Sequence, residues 1–422
     1  MSSSESSSAA PIDTRETEVL IVGAGPAGIA SALAARNAGA RVMIVDEAPE
    51  PGGHLRWEVP DFDELPLAPV PLWRSALSES AASELDGTDI DRLMNTAVWG
   101  IFPNGPGHFI AGAYDAANDR GARISARAVV VATGTRDRAW PVRGWELDGF
   151  FTERQLLQSL HRELPPLGKR YALIGDGKAT EQVKAAIMIT GGQVIFQSVD
   201  INHLRIEGDG RVERIVDRSG PVDVDAVVMA FGQRIDPTLA VQAGAQHTLH
   251  VGEAVPTPFI TPDGATTIPG LFLVGEAAGV QSARWAYQHG ERVGAAAARG
   301  VPAHEPVEGI WIDPEKPRRP FFPPPRDRAI LIDREEGVTL GQIEDAIEAG
   351  AWDINDIRRI TRVGMGESQG AESLPVVATL LLWRDSAIAD ERLLARPRPQ
   401  VRPIPFHAFL PDQAEALANH IH

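Results

Sequence analysis

The 422-residue chain contains no cysteine. That absence excludes disulfides, thiolate zinc sites, a thiolate nucleophile and any iron–sulfur cluster held by cysteines alone. Every reductase that works through a redox disulfide goes with them. Positive charge is also scarce: 40 Lys and Arg stand against 57 Asp and Glu, for a formal net charge of -17. Such a chain repels nucleic acid and anionic lipid, so neither is an expected partner. No run approaches the ~18 uninterrupted apolar residues of a membrane span. Residues 1–16 are Ser-rich and polar, without the basic and apolar segments of a secretory signal. They read as a disordered tail, and a cytoplasmic address is the default expectation. No Ser-His-Asp order, HExxH or paired-carboxylate arrangement stands out.

What is present is enough apolar residue, 43%, to build sizeable cores. At roughly 100–200 residues per domain the length holds two to four of them. Strand-turn-helix units open twice, at residues 18–46 and 170–198. In the first, EVLIVGAGPAGIASALAARNAGARVMIVDE, Gly23, Gly25 and Gly28 follow an apolar run and enter an Ala-rich helix through Pro26 and Ala27. Gly23 permits a tight turn, Gly25 lets the backbone approach a diphosphate, and Gly28 lets helix and strand pack closely. The helix start turns unpaired N–H groups toward that diphosphate. Asp46, at the end of the next strand, is positioned for an adenosine ribose, with Glu47 as the fallback.

The second unit, YALIGDGKATEQVKAAIMITGGQVIFQSVD, keeps Gly175, Asp176 and Gly177 but carries Thr180 at the third glycine position. Its strand-end position is Ser198, neither acid nor base. NAD, an adenine nucleotide in a structural role, and a vestigial fold that binds nothing all stay open here, and nothing favours NADPH. Strand-like stretches at 97–102, 108–114 and 128–132 read as a small hairpin packed beside the first unit, 223–232 and 271–274 as buried strands, and 282–299 as an Ala-rich helix. Proline makes 314–328 an extended linker. After it, TLGQIEDAIEAG and INDIRRITRVG read as short amphipathic helices of a distinct module.

With Pro51, Gly52 and Gly53 after the second strand, Ala132-Thr133-Gly134 ending a buried strand, MAFG at 229–232 and IPGLFLVGEAAG at 268–279, the chain resembles the two-dinucleotide-binding flavoproteins. These include glutathione-reductase-like and sarcosine-oxidase-α-like FAD proteins. The resemblance implies that Gly52, Gly53, Ala132, Thr133, Gly134, Gly275 and Glu276 line the FAD, with Glu276 standing where Asp is usual. It implies also that the turn ending at Ala283 aims a helix N-terminus at the flavin's pyrimidine edge. His54, Arg284, Trp285, Tyr287 and His289 are the catalytic candidates near the ring.

The stretch DREEGVTLGQIEDAIEAGAWDINDIRRITRVGMGESQGAESLP resembles the small [2Fe–2S] domain of bacterioferritin-associated-ferredoxin type. That domain occurs in the α-type subunits of opine oxidase, hydrogen cyanide synthase, dye-linked proline dehydrogenase and sarcosine oxidase. Its four cysteine positions fall on Asp333, Glu335, Ser368 and Ser373. Hard oxygen ligands do not hold a cysteine-type cluster, so local hydrogen bonds are favoured there over a Mg2+ or Ca2+ site, and no iron–sulfur cluster is expected.

The resemblance thus implies an α/β fold: a glutathione-reductase-like pair of Rossmann-type domains plus a small helical C-terminal domain of the ferredoxin type named above. The expected division is an FAD-binding domain at 17–165 and 252–312, an NAD-type domain at 166–251 and a linker at 313–328. A cluster-less helical domain at 329–386 and a Pro/Arg-rich arm at 387–422 complete it. Arg392, Arg396, Arg398 and Arg402 make that arm a candidate to pair with an acidic partner surface. The implied function is an FAD-binding α-like subunit of a hetero-oligomeric amine or amino-acid dehydrogenase or oxidase (opine, imino acid or sarcosine-like) that has lost its iron–sulfur relay. The implied partner is a β-type glycine-oxidase-like flavoprotein, with FMN at a subunit interface and a small amine or amino acid as substrate. The alternatives are a stand-alone NAD(P)H-dependent flavin reductase and a non-catalytic nucleotide-binding scaffold.

Overall fold

A computed structural model describes residues 13–57, 79, 82–105, 107–162, 168–250, 255–280, 282–300, 324–388, 390–395 and 397–409. Residues 1–12 of the expected tail, the expected linker up to residue 323, Arg396, and the arm beyond residue 409 lie outside the described residues.

The first apolar run forms strand β1 (Asp13–Val22), which turns at Gly23 into helix α1 (Pro26–Asn37) and returns as β2 (Val42–Val45). Pro26 takes the one helical position where a missing N–H costs nothing, and no side chain caps the helix start. Strands β3 (Asp91–Leu93), β4 (Thr96–Pro103), β5 (Phe109–Asp115) and β6 (Arg120–Val131) complete a sheet of order β3-β2-β1-β6-β5-β4. The stretches expected to form a hairpin beside the first unit are instead continuous with its sheet. The cause is the length of β6. Its first half pairs antiparallel with β5 and alternates in burial, while its last four residues are all buried between parallel neighbours.

The chain then crosses through β7 (Thr135–Asp137) to β8 (Phe150–Thr152), α2 (Glu153–His161), β9 (Arg170–Gly175), α3 (Gly177–Ile189) and β10 (Gln193–Ser198). A small antiparallel sheet follows, β11 (Arg205–Glu207), β12 (Arg214–Asp217) and β13 (Gly220–Asp223), and then β14 (Ala226–Ala230). The second parallel sheet has the order β10-β9-β14-β8. The expected domain boundary at residue 165 is therefore too late. Phe150, Phe151 and Thr152 pair with Val227, Val228 and Met229, and Leu156 of α2 packs into the second domain's core.

The return crossing is β15 (Gln233–Ile235), antiparallel to β7, followed by α4 (Thr238–Gln242) and the hairpin β16 (His247–His250) with β17 (Val255–Pro258). Strand β18 (Leu271–Leu273) then joins the parallel end of β6. Helix α5 (Ala283–Arg299) crosses α1 at backbone contact. A Cβ on Gly290 would lie 2.4 Å from the Ala27 carbonyl oxygen, and one on Gly294 2.1 Å from that of Ser31. Ser31 Oγ ties the crossing by donating to the carbonyls of Ala27 (2.7 Å) and Gly290 (3.1 Å).

The C-terminal module consists of β19 (Leu331–Asp333), β20 (Val338–Thr339), α6 (Leu340–Glu348), α7 (Ile354–Thr361), α8 (Ser373–Arg384) and α9 (Asp390–Leu393). Thr339 and Gln342 cap α6 reciprocally, and Asp353 caps α7. The module shares one apolar core with the second domain rather than standing apart. Trp145, 1% exposed, is the key: its Nε1–H donates to the Leu331 carbonyl at 2.8 Å, and the Arg334 guanidinium lies 4.5 Å from its ring centroid.

The arm, expected to seek an acidic partner, binds its own chain over residues 397–409. Val401 N–H donates to the Trp99 carbonyl at 3.0 Å, and Ala408 packs on Gly121, where a Cβ would meet the Ala408 carbonyl oxygen at 2.3 Å. Arg392 lies over the Trp352 ring, and Arg402 pairs with the chain's own Glu47. Among the described residues no helix is long and apolar enough to cross a membrane.

The α1–α5 crossing generates a test. Gly294→Ala is expected to cost about 1–3 kcal/mol, the usual penalty of overpacking. The measurement is a fall in the denaturant midpoint at unchanged slope.

Candidate functional site

A cleft of about 440 Å³ opens where β1, β2, β6 and β18 end, lined there by Val22, Val45, Ala132 and Val274. The carboxyl edge of a parallel sheet is where dinucleotides bind. The glycine loop is shaped for a backbone approach. Gly23 has φ +109, and a Cβ there would lie 2.3 Å from the Ala132 carbonyl oxygen; one on Gly28 would lie 1.9 Å from the Gly23 carbonyl oxygen. Across the cleft Gly53 faces Gly25, and a Cβ on Gly53 would come within 2.9 Å of the Gly25 Cα. This cradle, open at an uncapped helix start, fits the diphosphate of FAD.

Asp46 pins the loop to the end of β2: its Oδ2 accepts the Ala24 N–H at 2.5 Å and its Oδ1 the Ala48 N–H at 2.7 Å. Burial pushes its carboxyl above the usual carboxylate range in spite of those donors. At the other end of the cleft, Glu276 and His54 converge around Gly134. Burial alone would raise the Glu276 carboxyl, but the neighbouring His54 imidazole and the Arg154 guanidinium outweigh it and hold it low, so Glu276 is ionised. Its Oε2 lies 3.0 Å from Thr135 Oγ, 3.6 Å from Arg154 Nη2 and 3.9 Å from His54 Nδ1. Burial, reinforced by Arg154, pushes His54 below its ordinary value and keeps the ring neutral. The extra methylene of Glu276 thus carries its carboxylate to the domain junction.

Of the residues expected to hold FAD, Gly23, Gly25, Pro26, Ala27, Asp46, Glu47, Gly53, Ala132, Thr133, Gly134, Glu276 and Ala283 line this cleft. Gly28, Gly52 and Gly275 lie behind it and shape it: Gly52 turns with φ +119, and a Cβ on Gly275 would strike the Ala27 Cβ at 2.5 Å. Of the catalytic candidates, His54 is among the lining residues; the other four are not. Ala283 and Ala286, three apart on α5, face the cleft, so Arg284 and Trp285 between them point elsewhere. Arg284 and Trp285 are exposed, Tyr287 donates to Glu84, and His289 Nδ1 accepts the Gly275 N–H at 3.3 Å.

Sequence reasoning missed Trp57, Thr96, Arg136, Asp236, Val401 and Arg402, all of which line the cleft. Arg402 reaches Glu47 Oε2 at 3.2 Å and Asp236 Oδ2 at 3.9 Å, laying the arm over the end of the cleft beside β2. No local pattern announces a contact between residues so far apart in the chain.

The second loop is arranged differently. Gly175 is needed because a Cβ would lie 2.0 Å from the Ala230 carbonyl oxygen. Thr180, buried, donates its Oγ hydrogen to that same carbonyl at 3.2 Å, so the missing third glycine has become a bolt between α3 and β14. Asp176 is the N-cap without a side-chain cap bond, and Gly177 faces open space. Ser198 is engaged in a local turn with Asp200.

In the helical module the four positions where the resemblance puts cysteines come together as two carboxylate–hydroxyl pairs. Ser373 Oγ donates to Asp333 Oδ2 at 3.0 Å, and Ser368 Oγ to Glu335 Oε2 at 2.8 Å. Backbone N–H groups complete both sets. Gly364 (2.6 Å), Glu335 and Glu336 (both 3.0 Å) donate to Asp333, and Ser368 (3.0 Å) donates to Glu335. The hydrogen-bond reading of these positions is what the geometry supports. Among the described residues no group of three or more potential His, Asp or Glu ligands is gathered.

Two families match separate parts of the chain. The family described as "Pyridine nucleotide-disulphide oxidoreductase" matches residues 17–195, and that described as "Sarcosine oxidase A3 domain" matches residues 328–411. The opine oxidase A-subunit of Agrobacterium tumefaciens (strain Ach5) is 25% identical over 95% of this chain and 93% of its own length. The chain is a flavin-dependent oxidoreductase resembling the α-type subunits of opine and sarcosine oxidases. The sarcosine oxidase alpha-subunit of Corynebacterium sp. (strain P-1) is 26% identical over 86% of this flavoprotein, which spans 42% of that relative. In fold, the flavoprotein is similar to L-proline dehydrogenase from P. horikoshii, with TM-score 0.75 at 22% identity over 94% of this chain and 80% of the other.

Two tests follow from this geometry. Arg402→Ala is expected to weaken FAD binding about tenfold, the ~1.4 kcal/mol of one charge-assisted contact. Fluorescence of the released flavin reads it, and unaltered retention would reduce Arg402 to a surface ion pair. Asp333→Ala strands one hydroxyl and three backbone donors, so a loss of roughly 2–4 kcal/mol is expected, with Asp333→Asn milder. Denaturant unfolding of the full chain measures both.

Proposed function

We propose that this flavoprotein is the FAD-binding α-like subunit of a hetero-oligomeric dehydrogenase or oxidase of amines or amino acids, opine, imino acid or sarcosine-like. One observation carries the reading: the end-to-end correspondence with the opine oxidase A-subunit, which joins the dinucleotide pair and the helical module in a single chain. The partner in this reading is a β-type glycine-oxidase-like flavoprotein that receives the substrate, and FMN is the expected cofactor at the interface between them. A nucleotide in the second domain, NAD or an adenine nucleotide in a structural role, would sit at Gly175 to Gly177, and a domain that binds none stays the alternative.

FAD supplies a hydride and electron acceptor when bound. The chain's own part is to hold it. The Gly23–Gly25 turn and the start of α1 take the diphosphate, Asp46 stiffens the loop, and Glu276 with Thr135 and Arg154 sets a negative charge beside neutral His54. The cysteine-free module, its four positions engaged in hydrogen bonds, supports an electron route that does not pass through an iron–sulfur cluster. The bolted Thr180 and the acid-free strand end at Ser198 weigh against a stand-alone NAD(P)H-dependent flavin reductase.

Affinity capture of the tagged chain from its native cells tests this. The expected results are a β-type flavoprotein in stoichiometric amount, FAD in the released cofactor and no acid-labile sulfide in the tagged chain. A stable holoenzyme of this chain alone, with rapid bleaching of its flavin by NADH, would replace the proposal with the reductase.

A further inference from the structure

The arm that lies over the dinucleotide cleft also walls a second cavity, of about 390 Å³, between the β15–α4 segment and the helical module. Arg136, Asp236, Thr238 and Val401 line both cavities and form the partition between them. The second cavity has an unusual charge for this chain. Five arginines line it, Arg136, Arg234, Arg358, Arg359 and Arg398, against one carboxylate, Asp236, in a protein of net charge -17.

That carboxylate is already committed, since Arg136 Nε donates to Asp236 Oδ2 at 2.7 Å. Arg359 is neutralised by Asp356 on its own helix. Arg234 is 5% exposed. Arg358 donates from Nη2 to the Gly364 carbonyl at 3.3 Å, but its Nε is buried without a hydrogen-bond partner. Burial, and then the charge of the neighbouring Arg398, push the Arg358 guanidinium below the usual arginine range. Like charges converging on a half-buried space cost free energy until a counter-charge arrives. A guanidinium fork matches an oxyanion in bidentate geometry. The rest of the lining is largely apolar, and the volume lies within the roughly 300–1,000 Å³ of small-molecule sites.

We propose that this cavity binds a small dianion, a phosphate monoester or a dicarboxylate, with its oxyanions on Arg358 and Arg398 and its carbon skeleton against Val241, Leu374 and Leu393. A dianion offsets the charges of Arg358 and Arg398, neither of which is paired with a described carboxylate, and a monocarboxylate does so only in part. The inference concerns residues outside the glycine cradle and does not rest on which assembly the chain joins.

Calorimetric titration of the purified full chain tests it, with excess FAD present so that the Gly23–Gly25 turn is not the phosphate site. Glycerol 3-phosphate and succinate are the probes, and binding of either supports the site and names its class. Affinity is expected to fall at least tenfold in Arg398→Ala and in Arg358→Gln, to recover in part in Arg358→Lys, and to be unchanged in Arg127→Ala. The last removes a surface arginine paired with Glu18. Arg398 is exposed, so its variant remains decisive even where an Arg358 variant fails to fold. Binding of neither probe, or equal binding by wild type and Arg398→Ala, overturns the proposal. Absence of FAD binding in the same sample counts against the cofactor reading alone; the probes are then titrated with ADP in place of FAD, and the same outcomes decide the cavity.

Discussion

One buried guanidinium holds the two dinucleotide units in register. Arg154 stands at the start of α2 in the second domain, with its side chain 9% exposed, and reaches into the double crossing between the domains. Its Nη1 donates to the Thr135 carbonyl at 2.5 Å, its Nη2 to Thr135 Oγ at 2.6 Å and to Gln233 Oε1, and Asp137 lies 3.7 Å from its Nε. Thr135 and Gln233 belong to the two crossing strands. A buried cation of this kind costs desolvation and is tolerated only when surrounded by acceptors, which fixes those acceptors in place. Together with His54, the same guanidinium holds the Glu276 carboxyl below the usual carboxylate range against the effect of burial, so the electrostatics of the cleft depend on the geometry of the junction.

From that junction the partition between the two cavities follows. Arg136 is the neighbour of Thr135, and its pairing with Asp236 at the end of the other crossing strand closes the wall. The arm then completes both spaces, with Arg402 over the dinucleotide cleft and Arg398 at the arginine-lined cavity. A proline-rich segment suits this task, because its extended backbone is largely pre-ordered and lies down at little entropic cost.

The helical module is held by two carboxylates whose acceptor capacity is used within the module. Two carboxylates and two hydroxyls stand where the resemblance puts four thiolates, and they meet one another and the surrounding N–H groups at hydrogen-bond distance. Buried carboxylates are stable only when their acceptor capacity is used, and Asp333 meets that condition with four donors. The module keeps its second attachment through Trp145, which binds it to a core it shares with the neighbouring domain.

Local chemistry determined much of this protein from its sequence. Gly23 and Gly28 had to mark a turn, because no side chain fits where their backbone meets Ala132 and the loop itself. The absence of cysteine settled which chemistries are closed, and the apolar periods located the strands and helices of the two dinucleotide units, the long helix α5 and the first two helices of the C-terminal module. Tertiary structure alone decided the rest, since the deciding partners are far apart in the chain. Nothing near Arg402 names Glu47, nothing near Trp145 names Leu331, and the split role of β6 depends on strands arriving from both sides. The candidates on α5 make the same point, because a helix turns residues one apart by about 100°. Its start was legible in the sequence, but which of Ala283, Arg284, Trp285 and Tyr287 faced the cleft was set by the crossing with α1 at Gly290 and Gly294.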